Sequence, residues 1–99
     1  MKTTVAFDVD GTLIKQGVMS EDTPRYEVIQ LFKLLESFGC EMYVWSGGGI
    51  DYAKRWVEKL GLDAHVVAKK SFTPDIAIDD FPEDDLWYKS PLGSVNLRV

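Results

Sequence analysis

The chain has 99 residues, 45% of them apolar and 12% aromatic, enough for one small packed domain and too few for two. A formal net charge of −5 argues against a basic footprint for a membrane surface or a nucleic-acid backbone. The single cysteine, Cys40, excludes an internal disulfide and has no Cys or His companion at metal-ligand spacing. With no signal peptide or membrane-spanning run at the N-terminus, the expected setting is reducing and cytoplasmic.

Residues 3–9 form an apolar run with almost no polar interruption, the pattern of a central parallel strand buried on both faces. It stops in Asp8 and Asp10, followed by Gly11. Residues two apart on a strand share a face, so the two carboxylates are expected to point the same way, where they repel each other unless a hard cation intervenes. Residues 11–22 read as a loop. Thr23 and Pro24 read as the cap and first residue of a helix over 24–37, closed by Gly39. Its apolar stripe (Val28, Ile29, Leu31, Phe32, Leu35, Phe38) is wider than a surface helix needs. Part of that width is a candidate subunit contact, which leaves a homo-oligomer open.

A second strand over 41–45 ends in Ser46 and three glycines. A second helix over 51–60 follows, with Ile50, Ala53, Val57 and Leu60 at core-facing spacing and Gly61 as its stop. Strands are expected over 65–68, 75–78 and 94–99, with a helical turn over 82–88. The order is βαβαβ and two more strands, without repeats or linkers. The expected architecture is therefore a single α/β domain over 1–99: a Rossmann-like three-layer sandwich around a mostly parallel sheet of about five strands. In such sheets the ligand lies beyond the carboxyl ends of the strands. Asp8 and Asp10, Ser46 and Gly47, and Asp79 and Asp80 all fall at such ends, and the fold is expected to bring them together.

That constellation suits a phosphate monoester. Asp8 can attack phosphorus, and Asp10 can protonate the leaving oxygen and then activate water. Asp79 or Asp80 would complete the oxygen shell of a Mg²⁺. Ser46 can donate to a phosphoryl oxygen, and the glycines from Gly47 onward let backbone N–H groups approach an anion at the start of the second helix. Lys69 or Lys70 could neutralise developing charge. The sequence thus predicts a phosphorylated substrate and no membrane partner, with nucleic acid entering only as a substrate. His65, Trp45, Trp56 and Trp87 read as structural, with Trp45 facing away from Ser46.

Over nearly its whole length the chain resembles the haloacid dehalogenase (HAD) superfamily of phosphotransferases. Asp8-Val9-Asp10-Gly11-Thr12-Leu13 is similar to that family's first motif, in which the first Asp is the nucleophile and the second the acid/base. Ser46, after Tyr43-Val44-Trp45, looks like the phosphate-binding second motif. Lys69-Lys70 falls where the third-motif lysine belongs, with Lys70 favoured because it stands nearer the fourth strand. Ile76-Ala77-Ile78-Asp79-Asp80 resembles the acidic fourth motif. The resemblance implies Mg²⁺ held by Asp8, the Asp10 main-chain carbonyl and Asp79, with Asp80 assisting. Asp84 stands where some relatives place a further acid, although Asp84 and Asp85 read first as a solvated charge run. Many members carry a cap domain after the first motif or between the second and third. Neither interval has room for one here, so a minimal, uncapped member is expected, open to a bulky substrate such as a nucleic-acid 3′-phosphate or to a sugar phosphate. Two other readings use the same residue types: a receiver-like signalling module phosphorylated on Asp, and a catalytically silent HAD-like scaffold.

Overall fold

Val5, Ala6 and Phe7 are fully buried, as the apolar run predicts. They lie in β1 (Thr4–Asp8), the middle strand of a five-stranded sheet. The computed structural model describes residues 2–80 and 91–99. The other sheet strands are β4 (Glu41–Trp45), β5 (His65–Val66), β6 (Ile76–Asp79) and β7 (Val95–Arg98), in the order β5-β4-β1-β6-β7, and every pairing is parallel. The α/β, Rossmann-like fold read from the sequence is the one observed.

Side-chain alternation sorts the two faces. Val5, Phe7, Met42, Val44 and Ile78 join Val28, Ile29 and Phe32 of α1 (Tyr26–Ser37) and Ala53 and Val57 of α2 (Ile50–Leu60) in one core cluster. Ala6, Trp45 and Ala77 face the other way, packed against Leu92, Tyr43, Val67 and Phe72. Among the described residues, that second face is covered by the segment between β5 and β6 rather than by a helix. Its aromatic edge is tight: the Phe72 ring centroid lies 4.6 Å from Tyr43 and 5.8 Å from Trp45.

Helix α2 starts one residue earlier than its periodicity predicts and stops where expected. Gly61 takes φ 66, a left-handed turn that glycine enters without Cβ strain, and the next N–H, from Leu62, closes on Val57 O at 3.0 Å. The start of α1 differs from expectation. Thr23 and Pro24 are not its cap and first turn. They form β3 (Thr23–Pro24), antiparallel to β2 (Ile14–Lys15), in a small hairpin where a plain loop was expected. Arg25 is the helix cap instead; its N–H donates to Leu13 O at 2.9 Å and its guanidinium to Gly11 O at 2.6 Å. These two bonds strap the start of α1 to the loop after β1, so tertiary pairing overrides the local Thr-Pro signal. On α1, Leu34 and Phe38 stay exposed, so the wide apolar stripe is only partly used by the core.

The strand order places a topological switch between β1 and β6. Successive strands step outward from β1 to β4 and β5, and the chain then returns to the other side of β1. The crevice beyond the carboxyl ends of β1 and β6 is where such sheets bind ligands. Among the described residues, no helix is long and apolar enough to cross a membrane. The helical turn expected over 82–88, with Asp84, Asp85 and Trp87, lies outside the described residues.

Candidate active site at the switch point

The register sets Phe7 beside Ile78, so the next residues, Asp8 and Asp79, end adjacent strands side by side. Each is only 6% exposed. Asp8 follows Ala6 in the alternation and Asp79 follows Ala77, so both belong to the face crossed by the β5–β6 segment. That segment delivers a cation. Lys69 Nζ lies 3.2 Å from Asp8 Oδ1 and 3.1 Å from Asp79 Oδ2.

The preference for Lys70 is corrected by the chain's path. The two lysines lie not on a strand but at the centre of a tight turn closed by Ser71 N–H to Ala68 O at 3.1 Å. Lys69 turns inward. Lys70 is exposed, with φ 66, and lines a separate cavity with Phe72, Thr73, Pro91 and Leu92. The sequence could not separate the lysines because strand alternation does not apply within a turn.

Two buried carboxylates and one ammonium leave negative charge in excess. Burial raises the proton affinity of Asp8, and the Asp80 charge adds to it, against the opposing pull of Lys69. Asp79 is pushed up to about 7, first by burial, then by its contact with Asp80 and the charge of Asp8, again opposed by Lys69. The same two carboxylates hold the Lys69 ammonium above its usual range, although its partial burial acts the other way.

Asp80 adds a third carboxylate. Oxygens of Asp8, Asp79 and Asp80 lie within 4.8 Å of one another, a hard-oxygen donor set that could hold a divalent cation. Asp80 reaches this position because residue 11 is glycine. A Cβ on Gly11 would stand 2.0 Å from Asp80 Oδ2, and its φ of +76 is one that side chains rarely adopt. The Asp10 carboxylate is not part of this set.

Asp10 instead turns toward the β4 side. The loop after β1 is drawn tight by Thr12 and Ile14 N–H groups, both donating to Val9 O, and Asp10 stands half-buried at its rim. Its Oδ1 accepts a 2.5 Å hydrogen bond from the Tyr52 hydroxyl, in the first turn of α2. Ser46 follows β4 directly and is buried. Its Oγ accepts Gly48 N–H at 3.0 Å, which leaves its own proton free to donate. Gly47 is exposed beside it, and Gly49 caps α2 without a side-chain hydrogen bond, so first-turn N–H groups face the same loop.

No family model, curated protein or solved structure matches this chain. The chemistry open to the site follows from its own geometry.

The structure gathers Asp8, Asp79, Asp80 and Lys69 into one cluster and sets Asp10 and Ser46 at neighbouring positions on the same sheet edge. It leaves Lys70 outside. Asp84 lies outside the described residues. Two contributors escape a motif-based reading: Tyr52, and Arg25 with its strap to Gly11 O. Tyr52 left one signal, a polar-tipped aromatic in the first turn of the helix that follows the glycine run.

Proposed function

We propose that this chain is a minimal, uncapped HAD-superfamily phosphatase that hydrolyses phosphate monoesters in the cytoplasm, dependent on a divalent cation such as Mg²⁺. The observation that carries the reading is the meeting of Asp8, Asp79, Asp80 and Lys69 at the switch point, with Asp10 and Ser46 beside them. Asp8 attacks phosphorus as its carboxylate, forming an aspartyl-phosphate as the ester bond breaks. Asp10 gives a proton to the leaving oxygen, then takes one from the water that releases inorganic phosphate and regenerates Asp8. Lys69 bridges Asp8 and Asp79 and offsets their charge. Ser46 Oγ–H and the backbone N–H groups at the start of α2 receive the phosphoryl oxygens. Asp8, Asp79 and Asp80 would hold the cation, which supplies Lewis-acid stabilisation of the phosphoryl charge when bound.

Counted in chain order, the five sheet strands run 3-2-1-4-5. Receiver domains share the flavodoxin-like order 2-1-3-4-5, so the topology favours the phosphatase reading over a receiver-like module. Only the β2–β3 hairpin stands between the first motif and α1, which fits an open site and a bulky phosphoester.

The test is a panel of sugar phosphates, nucleotides and 3′-phosphorylated oligonucleotides assayed with Mg²⁺ and with EDTA. Turnover is expected with Mg²⁺ only, and Asp8→Asn should lower kcat by on the order of 10⁴-fold or more. Wild-type rates in Asp8→Asn would overturn the nucleophile, and activity surviving EDTA would overturn the cation's role.

A further inference from the structure

Tyr52 joins the loop after β1 to the glycine loop after β4. Its hydroxyl meets Asp10 across 42 positions of sequence. Its ring lies against the glycine loop: a Cβ on Gly48 would come within 3.1 Å of that ring and 3.4 Å of Ser46 Oγ. One turn further along α2, the Arg55 guanidinium sits 6.0 Å from the ring centroid. The phenol stays protonated at neutral pH, because burial and then the Asp10 carboxylate push it up from its ordinary value, with the charge of Asp22 in the hairpin loop adding to this.

We propose that Tyr52 is the positioning residue for the acid/base Asp10, holding Oδ1 by a donated hydrogen bond so that Oδ2 carries the travelling proton. The inference rests on the phosphatase reading. With Oδ1 committed to Tyr52, the carboxyl cannot rotate freely, and its other oxygen is left to carry the proton. In the first half-reaction, the Asp8–phosphorus bond forms, the phosphorus–oxygen ester bond breaks, and the Oδ2 proton passes to the departing alkoxide. In the second, Oδ2 removes a proton from water as the water oxygen bonds to phosphorus and the Asp8 carboxylate leaves. Tyr52 keeps its own proton throughout. Its place on α2, next to the loop that receives the phosphoryl group, fixes the acid relative to the phosphate as well as to the nucleophile.

The discriminating measurement is the leaving-group dependence of Tyr52→Phe. A p-nitrophenolate leaves without a proton, whereas an alkoxide needs one. With an alkyl phosphate, Tyr52→Phe should lose about 10- to 100-fold in kcat with KM little changed. The pre-steady-state burst of p-nitrophenol from p-nitrophenyl phosphate should stay within about 3-fold of wild type, since only the acid's share of the rate enhancement is removed. Equal losses on both substrates would mark Tyr52 as merely structural and overturn the inference, as would wild-type rates on both. In either case an active wild type leaves the phosphatase reading standing. A wild type inactive on both substrates, and on the wider panel, would overturn that reading and this inference with it.

Discussion

The two sides of the β1 carboxyl end balance charge by opposite means. Toward β6, Asp8, Asp79 and Asp80 crowd together and, among the described residues, Lys69 is the ammonium that meets Asp8 and Asp79. Toward β4, neutral donors do the work: the Tyr52 phenol, the Ser46 hydroxyl and the N–H groups of the glycine loop. A side with excess negative charge attracts a cation, and a side lined by donors attracts an anion. Asp8, the proposed nucleophile, stands at the boundary. Both halves are supplied by strand ends flanking one switch point, so the division follows from topology as much as from composition.

The largest effect on this division should come from Lys69→Met. It removes the only cation that touches Asp8 and Asp79 among the described residues. Breaking a fully buried pair costs about 3–5 kcal/mol, and the partial exposure of Lys69 brings the expected loss to about 2 kcal/mol at pH 7.5. Activity should fall on the order of 10²- to 10³-fold with the loss of a charge aimed at the reacting group. Mg²⁺ should raise Tm more in this variant than in wild type, because an added cation then substitutes for the missing ammonium. Thermal melts with and without Mg²⁺ check this, and an equal shift in both proteins would break the comparison.

Protons should compete with the cation. In the folded chain Asp79 is raised from 3.8 to about 7, so the native state holds a proton that the unfolded chain has released. The Asp79 contribution to stability in EDTA is therefore full below about pH 4 and is lost as pH rises toward 7, at no more than about 1.4 kcal/mol per pH unit for one proton. Asp8, also raised, adds in the same direction. Mg²⁺ should lift Tm most at the high-pH end, where both carboxylates are ionised, and Asp79→Asn should flatten the EDTA profile. A wild-type stability that rises with pH in EDTA relative to Asp79→Asn would contradict the excess of negative charge on this side.

Gly11→Ala should act on the β6 side through one atom. The new Cβ would meet Asp80 Oδ2 at 2.0 Å and adopt a strained φ of +76, a penalty of about 1–3 kcal/mol read as a drop in Tm. Asp80 must shift to relieve it, so the concentration of Mg²⁺ needed for half-maximal activity should rise. A stability loss without a change in that concentration would separate the glycine's backbone role from its support of Asp80.

Much of this division was already legible before folding. The largely apolar run of residues 3–9 and the core-facing spacing in residues 50–60 specify a buried strand and an amphipathic helix, and both are present. Asp8 and Asp79 were recognisable because burying a carboxylate at the end of an apolar strand is costly unless a cation or donor meets it there. The failures occurred where long-range contacts decide local shape. Thr23-Pro24 carries a good helix-start signal, yet pairing with Ile14-Lys15 and the Arg25 bond to Gly11 O move the start onward. Tyr52 reads as an ordinary helix residue because its partner, Asp10, is 42 positions away.

The Lys69-Lys70 pair gives the smallest effect and the sharpest contrast, because adjacent residues of one type occupy opposite situations. Lys69 is held by two carboxylates; Lys70 is exposed and sits at φ 66, where a Cβ is unfavourable by about 1 kcal/mol or slightly more. Lys70→Gly removes that strain, while the added freedom of the unfolded chain takes back part of the gain, so a net stabilisation of about 0.5 kcal/mol is expected. Phosphatase activity on small esters should stay within about 2-fold of wild type, as for a surface change away from the reacting groups. Lys69→Gly should do the reverse on both counts, since it deletes the ammonium and gains nothing from the backbone. If instead Lys70→Gly abolished turnover and Lys69→Gly did not, the turn would have to present its lysines the other way round, and the assignment of charge on the β6 side would fall with it.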